Sequence, residues 1–199
     1  MKKNITIFSL ACLFLLESLH GAAGRPEEAL EWAIEIEALA ILNLSGNEDV
    51  LDIGPGKGDL SRYIAENYLP NGRLTGIDNN VAMVNFASQH NALPNLSYIY
   101  ADAVDYAARE KYDAIISFWA LHWTSSYTKT LNNIAQSLKP NGRALLMHYT
   151  GMPPLWLSAQ KLLATEKWSS DKIKIAPTPK YLSKEEIQCA VTQAGLTIE

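Results

Sequence analysis

Residues 50 to 59, V-L-D-I-G-P-G-K-G-D, carry a short apolar run straight into three glycines, Gly54, Gly56 and Gly58, set two apart. The run reads as a buried strand, and glycine at its end permits a sharp turn and lets the backbone approach a ligand with no Cβ in the way. Strand, glycine turn and helix open a doubly wound α/β domain, and the chain repeats that alternation. Strands are expected at Leu74 to Asp78, Leu96 to Tyr100, Tyr112 to Phe118 and Arg143 to Tyr149, with helices at 59–68, 80–91 and 127–139 between them. Pro70-Asn71-Gly72 and Pro140-Asn141-Gly142 each read as a turn that ends a helix before a strand. Further helices are expected over Pro26 to Leu44, Leu155 to Trp168 and Ser183 to Ala194, with an irregular loop at 174–180. The fold class is α/β: a mostly parallel sheet with helices on both faces.

At 199 residues, 48% of them apolar, the chain is sized for one domain with its own core, expected over 25–199. Cys12 and Cys189 stand far apart with no C-x-x-C pairing, so neither a zinc cluster nor a disulfide framework is read, and no metal site is expected. A formal charge of −4 gives no bulk electrostatic reason to bind nucleic acid. Residues 1–24 run from Lys2 and Lys3 through an apolar stretch, Ile5 to Leu16, to the small residues Gly21, Ala22, Ala23 and Gly24. That is the plan of a secretory signal peptide cleaved after Ala23, or alternatively of a buried first helix; at about 12 residues the run is too short to span a bilayer.

The glycine loop is not a P-loop, because Lys57 is followed by Gly58 and the G-x-x-x-x-G-K-[ST] spacing is absent. Asp78 closes the second strand twenty residues beyond Gly58, where a carboxylate can hold the two hydroxyls of a ribose. The loop spacing is G-x-G-x-G rather than the dinucleotide G-x-G-x-x-G, Asp52 stands where such a strand is usually apolar, and no Y-x-x-x-K pair is present. Tyr100-Ala101-Asp102-Ala103 offers a carboxylate for an adenine amino group, and the strand from Tyr112 to Phe118 runs on into W-A-L-H-W. Each acid has a plainer role open to it: Asp52 and Asp102 as helix caps, Asp78 as a turn residue.

With these motifs in order, and L-K-P-N-G-R-A-L-L-M at 138–147, residues 48–150 resemble the class I S-adenosylmethionine-dependent methyltransferases. Leu121-His122-Trp123 is most similar to the small-molecule branch with trans-aconitate and juvenile hormone acid methyltransferases. The resemblance implies a Rossmann-like fold and S-adenosyl-L-methionine as cofactor. It implies that Gly54, Gly56 and Gly58 pass around the methionine part, Asp52 stands beside them, Asp78 holds the ribose, and Asp102 with the Ala103 amide meets the adenine. Phe118 and Trp119 would flank the methionine end. Asn79 and Asn80 occupy positions where the family more often has an apolar residue on the adenine, a duty that falls to Met83; Lys57 replaces the common Thr or Ser. The family sheet ends in an antiparallel hairpin, which is incomplete here because this chain stops at the hairpin's first strand.

The expected partner is a small-molecule acceptor, a carboxylate, hydroxyl or similar group, with no nucleic acid and no stable membrane span. A hydroxyl needs a base, and His122 and His148 sit at the carboxyl ends of strands, where ligands lie in open α/β sheets. Either can equally be a hydrogen-bonded structural histidine. The competing functions are a degenerate methyltransferase fold used as a binding module and an NAD-type oxidoreductase. A signal-like terminus suggests export, whereas cofactor supply suggests the cytoplasm.

Overall fold

The computed structural model describes residues 3–9, 26–150, 157–158, 161–162, 165 and 179–199. Seven strands, β1 (Asn4–Ser9), β2 (Asp49–Ile53), β3 (Arg73–Asp78), β4 (Leu96–Tyr100), β5 (Tyr112–Phe118), β6 (Leu138–His148) and β7 (Thr197–Ile198), form one sheet. Their order is β4-β3-β2-β5-β6-β1-β7, and every pairing of these strands is parallel. The described helices are α1 (Pro26–Leu39), α2 (Asp59–Asn67), α3 (Val81–His90), α4 (Tyr127–Ser137) and α5 (Lys184–Gln193).

A parallel sheet must be covered on both faces, and its strands show this as two interleaved apolar sets. Ile115, Ala144 and Leu146 pack with Leu131 and Ile134 of α4 and Ile187 and Val191 of α5. Ala114, Ile116, Leu145 and Met147 pack on the other face with Ala38 and Leu39 of α1 and Ile64 and Ala65 of α2. In β2 the same alternation puts Val50 with the second set, so Asp52, two residues on, shares its face with α1 and α2. Helix starts are capped from the sequence: Asn80 accepts from the Ala82 and Met83 amides, and Ser183 with Glu186 forms a capping box.

Three local expectations are corrected. The first concerns the amino terminus, where Asn4–Ser9 is a strand rather than part of a helix; residues 10–25 lie outside the described set. Ile5, Thr6 and Ile7 are β-branched, and Ile5 is fully buried in the core. β1 lies between β6 and β7, and among the described residues it is the strand that pairs with β7, so the place next to the last strand is filled by the amino-terminal segment. The second concerns Pro140-Asn141-Gly142, which lies inside β6. Asn141 has a φ of 64°, and the register shifts between Tyr112 and Ala114 opposite, so the motif makes a bulge where a turn was expected. Third, the first helix ends at Leu39 and tightens into a 3-10 turn, Ala40–Leu42, that Asn43 closes at a φ of 43°. The expected helix over Leu155 to Trp168 and the loop at 174–180 fall mostly outside the described residues. Among the described residues no helix is long and apolar enough to cross a membrane, and no cluster of His, Cys, Asp and Glu could hold a metal ion.

Candidate cofactor site

β2 delivers the chain to Gly54, whose φ is 77° and whose N–H donates to the Ile77 carbonyl at 2.8 Å, tying the loop to β3. Ala120 occupies the space a Cβ on Gly54 would need. Gly58, φ 86°, lies against the ring of Tyr98, whose hydroxyl donates to the Gly58 carbonyl at 3.1 Å. Asn91 braces the loop from α3's end, its amide donating to the Lys57 carbonyl at 2.8 Å and to Asp59 at 3.0 Å. Between these supports Gly56, φ 56°, faces open space: nothing lies within 4 Å of where its Cβ would be. The loop is thus a rigid cradle with its middle clear.

Asp78 accepts from the Gly56 N–H at 3.2 Å through Oδ2 and from the Asn80 N–H at 2.8 Å through Oδ1. Asp102 caps its own turn by accepting from the Val104 N–H at 2.9 Å, and its other oxygen accepts from the Asn79 side chain at 3.3 Å. The cap role open to Asp102 is therefore real, and it coexists with a place in the cavity wall.

A cavity of about 290 Å³ opens over the carboxyl ends of the central strands. Its wall brings together Gly54, Asp78, Asn79, Met83, Asp102, Ala103 and Trp119 from the residues chosen by sequence, with Trp123 and Thr124 at one side. Asp52 and Phe118 belong instead to an adjoining cavity of about 220 Å³, which shares Gly54 and is completed by Trp32, Glu35 and Asp59. Gly56 and Gly58 build the loop without lining either cavity.

Electrostatics divide the two cavities. Asp52 is 3% exposed, with the Ser61 hydroxyl donating to it at 2.6 Å; burial, with the Asp78 charge adding, pushes its pKa up to about 7. Glu35 accepts from Trp119 Nε1 at 2.8 Å, yet burial, helped by Glu31 and Asp52, raises it to about 7 as well. The second cavity thus has two acids whose charge is poised near neutrality.

Both histidines lie outside these cavity walls. His122 is 6% exposed and stacks on Tyr181 at 5.6 Å between centroids, and among the described residues its Nδ1 finds no hydrogen-bond partner. Burial, and after it His148, lowers its pKa to about 4. His148 has both nitrogens engaged, Nε2 with the Tyr127 hydroxyl at 2.9 Å and Nδ1 with the Tyr149 carbonyl at 3.1 Å; burial lowers it also. The neutral tautomer that fits donates from Nδ1 and accepts at Nε2.

Glu35, Asn91 and Tyr98 were not singled out from the sequence. For Glu35 a signal exists: Trp32, Ala38 and Leu39 stand one helical turn away on either side, which places an acid in an apolar stripe. Nothing local marks Asn91 or Tyr98, whose roles depend on where α3 and β4 are packed.

Residues 50–142 match the family model described as a methyltransferase domain. The chain is 28% identical over 131 residues to the juvenile hormone acid O-methyltransferase of Drosophila melanogaster, covering 63% of this chain and 44% of that protein. It is 29% identical over 148 residues to the trans-aconitate 2-methyltransferase of Escherichia coli, covering 74% of this chain and 54% of that protein. The chain therefore spans about half the length of the curated relatives it matches. Its fold superposes with a TM-score of 0.67 and 25% identity on a structure solved as a complex between the Haloferax volcanii Trm112 methyltransferase activator and a candidate methyltransferase, over 85% of this chain and 70% of that one. The glycine cradle and the acids at the ends of β2 and β3 all lie within residues 50–142, the stretch that matches the methyltransferase-domain model, and the parallel sheet presents them in the arrangement by which the chain resembles the class I S-adenosylmethionine-dependent methyltransferases.

Proposed function

We propose that this chain binds S-adenosylmethionine in the 290 Å³ cavity and transfers its methyl group to the carboxylate of a small molecule. The observation that carries the cofactor half is the cradle: a glycine loop clear at Gly56, bridged to Asp78, with Asp102 and Met83 across the cavity. Asp78 would hold the ribose hydroxyls, Asp102 and the Ala103 amide the adenine edge, and Met83 would pack on the ring. The bound cofactor supplies a methyl group already activated on a sulfonium, so the protein's work is to align the acceptor and keep water out. Trp119 and Trp123, both in the cavity wall, provide apolar cover on the acceptor side.

Support for a carboxylate comes from the histidines. His122 is buried with its pKa lowered to about 4, and His148 spends both nitrogens on Tyr127 and Tyr149, so neither is set up to deprotonate an alcohol near pH 7. A carboxylate is ionised at that pH and needs no base. The names of the two relatives reported above, for juvenile hormone acid and trans-aconitate, are of acid substrates too. Incubation with methyl-labelled S-adenosylmethionine and paired panels of acids and alcohols tests this: label should enter a base-labile ester. A base-stable product overturns the carboxylate assignment, calorimetry with no cofactor binding overturns the cofactor, and binding without transfer to any panel member makes the fold a binding module. We place this work in the compartment that makes the cofactor; native protein whose intact mass lacks residues 1–23 would contradict that placement.

A further inference from the structure

Glu35 sits on the buried face of α1, 9% exposed, where a carboxylate is costly unless it is hydrogen-bonded. Its partner lies 84 residues away: Trp119 Nε1 donates to Oε1 at 2.8 Å. Trp119 has a φ of 56°, a left-handed conformation that a bulky residue holds only when its surroundings over-determine it. Its backbone N–H donates to the Met147 carbonyl at 2.9 Å, and its ring packs on Tyr149 at 5.0 Å between centroids. The indole lines the larger cavity, Glu35 lines the smaller one, and Gly54 is a wall of both. We propose that Glu35 is a positioning residue that, by holding Trp119 Nε1 from the side of the smaller cavity, fixes Trp119 in the wall of the larger one and so sets the shape of the cofactor site. This rests on the reading of the larger cavity as the cofactor site.

The tether is adjustable by protonation. The groups facing Glu35 are Glu31 on its own helix, Asp52 on β2, Asp59 in the shared cavity wall and the Trp119 N–H. Burial is the main cause that raises Glu35 to about 7, and the two neighbouring acids add to it. An ionised acceptor makes the stronger hydrogen bond, so the indole is held more firmly above that pH than below it.

The test uses Glu35→Gln, Glu35→Ala and Trp119→Phe in the full chain, with S-adenosylhomocysteine as the calorimetric probe at pH 8. Glu35→Ala and Trp119→Phe, which keeps an aromatic ring but loses the donor, should each weaken binding about tenfold, the scale of one hydrogen bond to a charged group. Glu35→Gln, which keeps a carbonyl acceptor, should stay within about threefold of wild type, and the double variant should be no worse than the worse single. A second readout needs no ligand: the fluorescence of wild type minus that of Trp119→Phe should titrate near pH 7, shift to lower pH in Asp52→Asn and lose its midpoint in Glu35→Gln. Unaltered affinity in Glu35→Ala, additive losses in the double variant, or a flat wild-type titration overturns the inference. Wild type that titrates but does not bind the probe keeps the tether and overturns the cofactor reading.

Discussion

The backbone N–H of Gly56 donates to Asp78 Oδ2 at 3.2 Å, so the acid at the end of β3 holds the glycine loop that follows β2. Asp78 also accepts from the Asn80 N–H at 2.8 Å, and Asn80 caps α3. One carboxylate therefore links the loop, the strand end and the next helix while standing in the cavity wall. Asp78→Ala should weaken S-adenosylhomocysteine binding by about 1.5 to 3 kcal/mol and lower stability by about 1 kcal/mol, because both internal bonds are lost with the ligand contact. Calorimetry alongside urea unfolding measures the two losses; an unchanged dissociation constant in a folded variant removes Asp78 from the ribose.

The three loop glycines should separate by effect. A methyl group on Gly54 meets Ala120 and one on Gly58 meets the Tyr98 ring, whereas one on Gly56 meets nothing. Gly56→Ala should cost only about 1 to 2 kcal/mol, the penalty of a left-handed residue with a Cβ. Gly54→Ala and Gly58→Ala should cost more by denaturant titration, and equal costs would mean the loop yields as a whole.

His122→Phe tests whether the buried imidazole is catalytic or structural. Phenylalanine keeps the stack on Tyr181 and removes a buried Nδ1 that has no partner among the described residues, so stability should hold or rise by up to about 1 kcal/mol. Methyl transfer should stay within a few-fold of wild type. A fall of about 10² to 10⁴ in turnover would restore His122 as a general base.

Asp52 carries a pH prediction with a definite sign. Its folded pKa is raised to about 7, so between the ordinary aspartate range and pH 7 the folded chain binds more protons than the unfolded one, and stability falls as pH rises through that window. The buried histidines act oppositely below pH 6.5, which is why the comparison is made between variants. At pH 5 a protonated Asp52 resembles asparagine; at pH 8 it is a buried charge. The stability of Asp52→Asn relative to wild type should therefore improve by about 2 kcal/mol from pH 5 to pH 8. A constant difference would mean Asp52 stays ionised throughout.

What was legible in the sequence follows from how local its cause is. The alternation of Val50 to Ile53 with α2, and of Tyr112 to Phe118 with α4, is set by short apolar runs and neighbouring turns, and these elements stand within a residue or two of expectation. Asp78, Asp102 and Met83 reach one cavity because each sits at a strand end or the first turn after it. The Glu35–Trp119 bond joins residues whose meeting depends on how α1 crosses the sheet, and no local pattern encodes that angle. Asn141 shows the limit in the other direction: Pro-Asn-Gly is a turn signal, but the pairing of Leu138 with Tyr112 keeps the strand running through it.

The amino-terminal strand yields the last prediction, because the composition of that segment suggested an address. β1 pairs with β6 from Asn4 opposite Arg143 to Ser9 opposite His148, and it is the strand partner of β7. The Thr197 and Glu199 N–H groups donate to the carbonyls of Lys3 and Ile5, each at 3.1 Å, and the Asn4 side chain donates to Glu199. Ile5 is fully buried, so Ile5→Ala should cost about 2 to 4 kcal/mol by cavity formation. Deleting residues 1–9 should cost at least as much, since β7 loses its pairing and the outer edge of β6 is bared. A bared edge offers unpaired backbone to other chains, so the deletion should also raise the sedimentation coefficient with concentration. If the deletion leaves both the urea midpoint and the sedimentation unchanged, β1 does not hold this place in solution, and the segment is free to serve as a leader.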